Sequence, residues 1–132
     1  MDAFLDDAIQ HLTPQDSGDL RRDLRTHLRN LAWFLTDSDA GAVFRALVGQ
    51  AQHDHEMAER FRKDYIGQQR EVDRLPLQRA VERGELAADT DLDLAVAQLV
   101  GPIYYRVLET GEDVDNKFRD SLVIAFLNRK KT

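Results

Sequence analysis

Leu92-Asp-Leu-Ala-Val-Ala-Gln-Leu-Val-Gly-Pro-Ile-Tyr-Tyr-Arg-Val-Leu108 is the stretch whose reading decides the fold. It reads as a helix, but one that is apolar almost all the way round. At about 100° per residue, Leu92, Val96, Leu99, Val100, Ile103 and Val107 share one face. Ala97, Gly101, Tyr104, Tyr105 and Leu108 crowd the opposite face. A surface helix carries one apolar stripe, whereas a helix apolar on all sides is buried on all sides. The last helical segment repeats the pattern: Phe118, Leu122, Ala125 and Phe126 form its stripe, with Val123, Ile124 and Leu127 off it. A chain of 132 residues has few helices available to cover both. The two helices are therefore expected to cover their second faces with another copy of the chain, as an intermolecular four-helix bundle. Ala97, Gly101, Tyr105, Leu108, Phe118, Leu122, Val123 and Phe126 are assigned to that homodimer interface.

Working outward, the length suits one domain with one core. Hydrophobic residues at 42% and charged residues at 32% are those of a globular protein. The absence of cysteine excludes disulfides, thiol catalysis and thiolate metal sites. The acidic start, Met-Asp-Ala-Phe-Leu-Asp-Asp, is not a signal peptide. The longest apolar run is interrupted by Gln98 and Arg106 and is too short to span a bilayer, so no membrane partner is expected and the cytoplasm is the default location. A net charge of −6 argues against this chain gripping DNA by itself, because duplex binding needs a cationic face. Arg21, Arg22, Arg25 and Arg29 cluster, but Asp16, Asp19 and Asp23 are interleaved with them, as on a solvated helix face.

Six helical segments and no strand are expected. The first, about 2–12, carries Phe4, Leu5, Ala8, Ile9 and Leu12 and ends at Thr13-Pro14. The second, about 19–36, has the stripe Leu20, Leu24, Leu28, Leu31 and Leu35. Asp37-Ser-Asp-Ala-Gly is a turn with capping residues. The third, about 41–52, carries Val43, Phe44, Leu47, Val48 and Ala51. The fourth is long, about 56–83, with Met57, Phe61, Tyr65, Val72 and Leu75 on one face, Pro76 bending it and Gly84 ending it. Asp91 and Asp115 are the expected N-caps of the last two helices.

Catalytic signatures are missing. There is no Gly-x-Ser-x-Gly elbow, no phosphate-binding glycine loop and no Glu-x-x-His pair for a di-iron bundle. His53-Asp54-His55-Glu56 is the densest cluster of ligand types, but its spacing has no metal geometry and reads as a turn in which Asp54 caps the next helix. Neither an enzyme nor a cofactor is expected. Two polar residues fall on apolar stripes. His27 lies seven residues after Leu20 and seven before Phe34, and Gln68 lies seven after Phe61 and four before Val72. Each is either satisfied within the protein or aimed at a ligand, because an unpartnered buried amide is costly. Trp33, opposite the leucine stripe, is packed on Arg29 or forms a pocket wall. Tyr104 and Tyr105, after Gly101-Pro102, either rim an interface or line a pocket at a local helix break.

The order of segments resembles the C-terminal, ligand-binding and dimerisation domain of TetR-family transcriptional regulators. The matching stretches are Asp19-Leu-Arg-Arg-Asp-Leu-Arg, Ala40-Gly-Ala-Val-Phe-Arg-Ala-Leu-Val and Arg79-Ala-Val-Glu-Arg-Gly-Glu-Leu86. The strongest is Leu99-Val-Gly-Pro-Ile-Tyr-Tyr-Arg-Val-Leu-Glu-Thr-Gly-Glu, followed by the aspartate-capped last helix. Together they cover roughly Ser17 to Arg129. The resemblance implies an all-α homodimer, joined through Leu92 to Glu109 and Asp115 to Arg129. It implies that residues 1–15 are the end of a connecting helix and residues 16–132 the regulatory domain. The helix-turn-helix that such proteins carry upstream is absent from this sequence, as in a shortened chain or one started at an internal methionine. Operator DNA would be reached only through that missing N-terminal domain. A small, largely apolar effector would sit between the second, third, fourth and fifth segments and release DNA when it binds. Its walls would be Phe34, Phe44, Leu47, Phe61, Tyr65 and Tyr104, with His27 and Gln68 as the polar pair. The alternative is a free-standing helical adaptor that binds a partner protein through the same apolar faces.

Overall fold

In the computed structural model the described residues are 3–128, with side chains from Asp7 onward. The side chains of Phe4 and Leu5, and Arg129 altogether, therefore lie outside what is described. All regular structure among the described residues is helical: α1 (Ala3–Gln10), α2 (Leu20–Asp37), α3 (Asp39–Ala51), α4 (His55–Phe61), α5 (Gly67–Glu82), α6 (Leu92–Tyr105) and α7 (Asn116–Asn128). A π turn, Arg62–Ile66, runs α4 into α5 as one rod, so the rods number six, as the periodicity predicts. A second π turn, Arg106–Thr110, extends α6 beyond Leu108. It stops at Gly111, whose φ of 74° suits a residue without Cβ and whose N–H donates to the Arg106 carbonyl at 2.7 Å.

Side-chain oxygens satisfy the orphan N–H groups at the helix starts. Asp91 accepts from Leu94 N (3.1 Å) and Asp115 from Phe118 N (2.9 Å), the two caps read from the sequence. Ser38 accepts from Gly41 N at 2.9 Å while its hydroxyl donates to the Phe34 carbonyl at 2.6 Å, closing the α2–α3 turn. That turn is so tight that a Cβ on Gly41 would lie 1.7 Å from the Phe34 carbonyl oxygen.

The spine of the core is α2. Leu20, Leu24, Leu28, Leu31 and Leu35 are all buried, as their spacing requires. They pack with Phe34 against α3, α5 and α7. The segment before α2 is tied to the end of α5: Arg79 Nη1 donates to the Pro14 carbonyl (2.7 Å), Arg83 pairs with Asp16 (2.9 Å) and Leu20 N donates to Glu85 (3.1 Å). Asp23 is buried but satisfied, accepting from the Ser17 hydroxyl at 2.6 Å.

Two departures from the sequence reading set the geometry that follows. On the long rod the face buried against the core is Ala58, Phe61, Tyr65, Gln69, Val72, Asp73, Pro76, Leu77 and Ala80. The expected Met57 and Leu75 are only half-buried. A π turn holds one residue more than an α turn, so it advances the face by one position. Periodicity counted straight through Phe61 therefore names Gln68 and Leu75 where the structure buries Gln69 and Pro76. On α7 the buried side chains are Val123 and Phe126, which pack into their own chain's core. Their expected place at the interface is corrected accordingly: α7 rests on α2 as well as α6 of its own chain, and these two side chains are buried in that core.

Candidate functional site

A cavity of about 890 Å³ lies among α3, the long rod and α6. Its apolar wall is Phe44, Val48, Ala51, Ala58, Phe61, Ile66, Val96, Val100, Tyr104 and Leu108. The aromatic part is a linked series of rings. Phe44 stands 5.3 Å from Phe61, 6.3 Å from Tyr104 and 5.9 Å from Phe34, and Phe61 is 5.9 Å from Tyr65 (centroid distances). Tilted and edge-on arrangements of this kind suit the ring quadrupole. Gly41 brings α3 against the end of α2, and Ser38 fixes the turn, so that Phe44 reaches Phe34.

One part of the wall is polar and buried. Asp73, on α5, accepts from His27 Nε2 at 2.6 Å and from Gln69 Nε2 at 3.0 Å, both on Oδ1. All three side chains are at most 5% exposed. Gln69 and Asp73 line the cavity, while His27 stands behind Asp73 on α2. The network is not fully satisfied: Gln69 Oε1 and His27 Nδ1 have no hydrogen-bond partner. A buried polar atom left unpaired costs about 1–3 kcal/mol, which makes this part of the wall a place where a ligand could gain. Burial, and after it the negative charge of Asp73, push the Tyr104 hydroxyl well above the usual phenol range, so it stays protonated. The mouth is wet and charged, with exposed His53, Asp54, His55, Arg62, Arg70 and Asp93. Asp54 caps α4 by accepting from Met57 N (3.1 Å), as expected. No cluster able to hold a metal ion occurs among the described residues.

Of the residues assigned to the pocket from the sequence, Phe44, Phe61 and Tyr104 line the cavity. Phe34 and Tyr65 stand directly behind them in ring contact, and Leu47 is half-buried against the core. His27 reaches the wall only through Asp73. Gln68 does not line the cavity; its side chain lies 3.5 Å from Gln10, and the buried amide is that of Gln69. Asp73 was missed because a carboxylate one step off an apolar stripe reads as solvated. Trp33 is 59% exposed and away from the cavity.

The residues assigned to an interface divide similarly. Ala97, Tyr105 and Leu108 are exposed on the outer face of α6. Gly101 is half-buried, and a Cβ there would meet nothing within 4 Å. Leu122 is half-buried beside the core. Phe118 is covered by the Arg106 guanidinium, 3.6 Å from its ring centroid. Ile124, 42% exposed on α7, is an apolar residue outside that assignment. Ala97 and Leu108 also line the cavity, so cavity and outer face adjoin along α6.

Residues 14–126 match the family described as tetracyclin repressor-like, C-terminal domain. The chain belongs to that family. It is 35% identical over 127 residues to an uncharacterized HTH-type transcriptional regulator, YdeS, of Bacillus subtilis (strain 168), covering 96% of this chain and 64% of that protein. It also resembles the crystal structure of TetR family transcription regulator SCO0332, with a TM-score of 0.82 and 34% identity, covering 90% of this chain and 65% of that one. The chain thus spans somewhat less than two thirds of these relatives. The all-helical fold agrees with the family. No helix among the described residues is long and apolar enough to cross a membrane.

Proposed function

We propose that this chain is the regulatory domain of a TetR-type transcriptional repressor. It homodimerises through the outer faces of α6 and α7 and takes a small, largely apolar effector into the cavity between α3, the long rod and α6. The observation that carries this reading is the cavity itself: about 890 Å³ of ring-lined space with an incompletely satisfied Gln69–Asp73–His27 network on its wall. A volume of this order accommodates a drug-sized molecule. Its place beside the outer face of α6 gives an effector a route to the dimer geometry, and so to the spacing of DNA-binding heads carried on the preceding helices. α1 then serves as the end of the connecting helix. The effector acts only by its difference in affinity between the DNA-competent and released geometries.

The first test is the solution mass of the chain by light scattering over a wide dilution series. A dimer persisting at low concentration is expected. A clean monomer would move the adaptor reading ahead, because Tyr105, Leu108 and Ile124 would then await a different protein.

A further inference from the structure

The polar wall of the cavity is one-sided in its chemistry. Gln69 spends its amide N–H on Asp73 and leaves Oε1 buried and unpartnered. Asp73 receives His27 and Gln69 on the same oxygen, Oδ1, and its Oδ2 takes neither bond. The two groups that the Gln69–Asp73 pair turns to a guest are therefore acceptors, one of them a carboxylate, and the donor on the same wall is the neutral Tyr104 hydroxyl. Beside them the same cavity presents the rings of Phe44, Phe61 and Tyr104, whose faces attract cations. The cationic groups of the lining, Arg62 and Arg70, are exposed and hydrated at the mouth.

Resting on the cavity reading above, we propose that the effector is a protonated amine carried on an aromatic or alicyclic body. Its ammonium N–H groups are received by Gln69 Oε1 and Asp73, and its apolar body lies against the rings of Phe44, Phe61 and Tyr104. An anionic guest in the same pose would face a carboxylate and an idle amide oxygen, both repelling it. A neutral alcohol could donate to Gln69 but would gain nothing from the charge of Asp73. Charge-assisted hydrogen bonds are roughly twice as strong as neutral ones, so discrimination of about tenfold or more is expected.

Three probes with one shared body decide the matter: naphthylethylamine, naphthylethanol and naphthylacetate, titrated calorimetrically into the chain at neutral pH. The amine is expected to bind at least about tenfold tighter than the other two. Asp73→Asn keeps an acceptor for His27 while removing the charge, and should bring the amine down to the level of the alcohol. Gln69→Leu removes the idle oxygen and should weaken the amine more than the acid. It also carries the test alone if Asp73→Asn does not fold. Equal or tighter binding of naphthylacetate would overturn the proposal in favour of Arg62 and Arg70 while leaving the cavity as a ligand site. Equal binding of the alcohol, or an amine affinity unmoved by Gln69→Leu, would overturn it too. Failure of all three probes at millimolar concentration would instead overturn the cavity reading beneath it.

Discussion

At the cavity wall Gln69 and Asp73, with His27 behind them, sit in the interior where apolar side chains ordinarily belong. On the outer face of α6 and α7, Tyr105 (57% exposed), Leu108 (43%) and Ile124 (42%) stand in water where polar ones ordinarily belong. The first exception is largely compensated inside the chain, by hydrogen bonds of 2.6 and 3.0 Å, and only two atoms remain idle. The second has no compensation inside the chain. Compensation therefore separates two kinds of site. An internal network with a small deficit fits a transient guest, whereas an uncovered apolar face fits a standing neighbour. Mutations should part the two regions: changes at the cavity should cost folding stability, and changes on the outer face should cost assembly.

The largest effect is expected where the cavity's scaffold is tightest. Gly41→Ala places a Cβ 1.7 Å from the Phe34 carbonyl oxygen, a backbone atom that cannot rotate away. The α2–α3 turn must open, and Phe44 loses its seat against Phe34. A loss of about 3 kcal/mol or more is expected in urea unfolding, at the upper end of overpacking costs. A melt within error of the parent would show that the turn adjusts freely.

Next in size is the polar wall. Asp73→Ala strands the His27 and Gln69 donors in the interior, and a cost of about 3 kcal/mol is expected from two unsatisfied groups. His27→Leu combined with Asp73→Leu should be much milder than the sum of the single changes, because partners removed together leave less unpaired. Strict additivity of the two in urea unfolding would mean that the 2.6 Å contact carries no coupling.

On the other side of the comparison, Leu108→Glu with Ile124→Glu should leave the folded chain intact by circular dichroism. It should raise the dimer dissociation constant by about 100-fold, since two charges would be desolvated in an apolar contact. Sedimentation velocity reads this directly. An unchanged dimer would place the interface elsewhere, and the comparison would lose its second half.

What the sequence disclosed follows the same line between regular and irregular geometry. The α2 leucines, the inner face of α6 and the Asp91 and Asp115 caps were legible because each follows from unbroken helical period or local hydrogen bonding. The π turn Arg62–Ile66 was not, since Arg-Lys-Asp-Tyr-Ile carries no residue that breaks an α-helix. Its extra residue advances the buried face by one position, which accords with the buried amide at 69 rather than 68 and with Asp73 facing inward. The inward place of Val123 and Phe126 was not legible for a different reason. A helix apolar on several sides does not say which side faces its own core, and α2 settles that for Val123 and Phe126.

The smallest effect separates the two regions most sharply, because its sign differs between fold and assembly. Gly101 lies inside α6, and apart from its chain neighbours and its own helix backbone nothing stands within 4 Å of where a Cβ would be. Within one chain, Gly101→Ala should therefore be stabilising by at most about 0.5 kcal/mol: the helix-propensity gain of alanine over glycine is about 0.5–1 kcal/mol, and crowding of the new methyl by the Pro102 ring removes part of it. If a second copy packs closely on the outer face of α6, the added methyl intrudes on that contact and weakens the dimer. Urea unfolding at concentrations below the dimer dissociation constant isolates the first effect, and a sedimentation series isolates the second. A firmer fold with a weaker dimer is the expected pair of results. A firmer fold with an equally tight dimer would put Gly101 outside the close contact and shift the interface toward Tyr105 and Leu108.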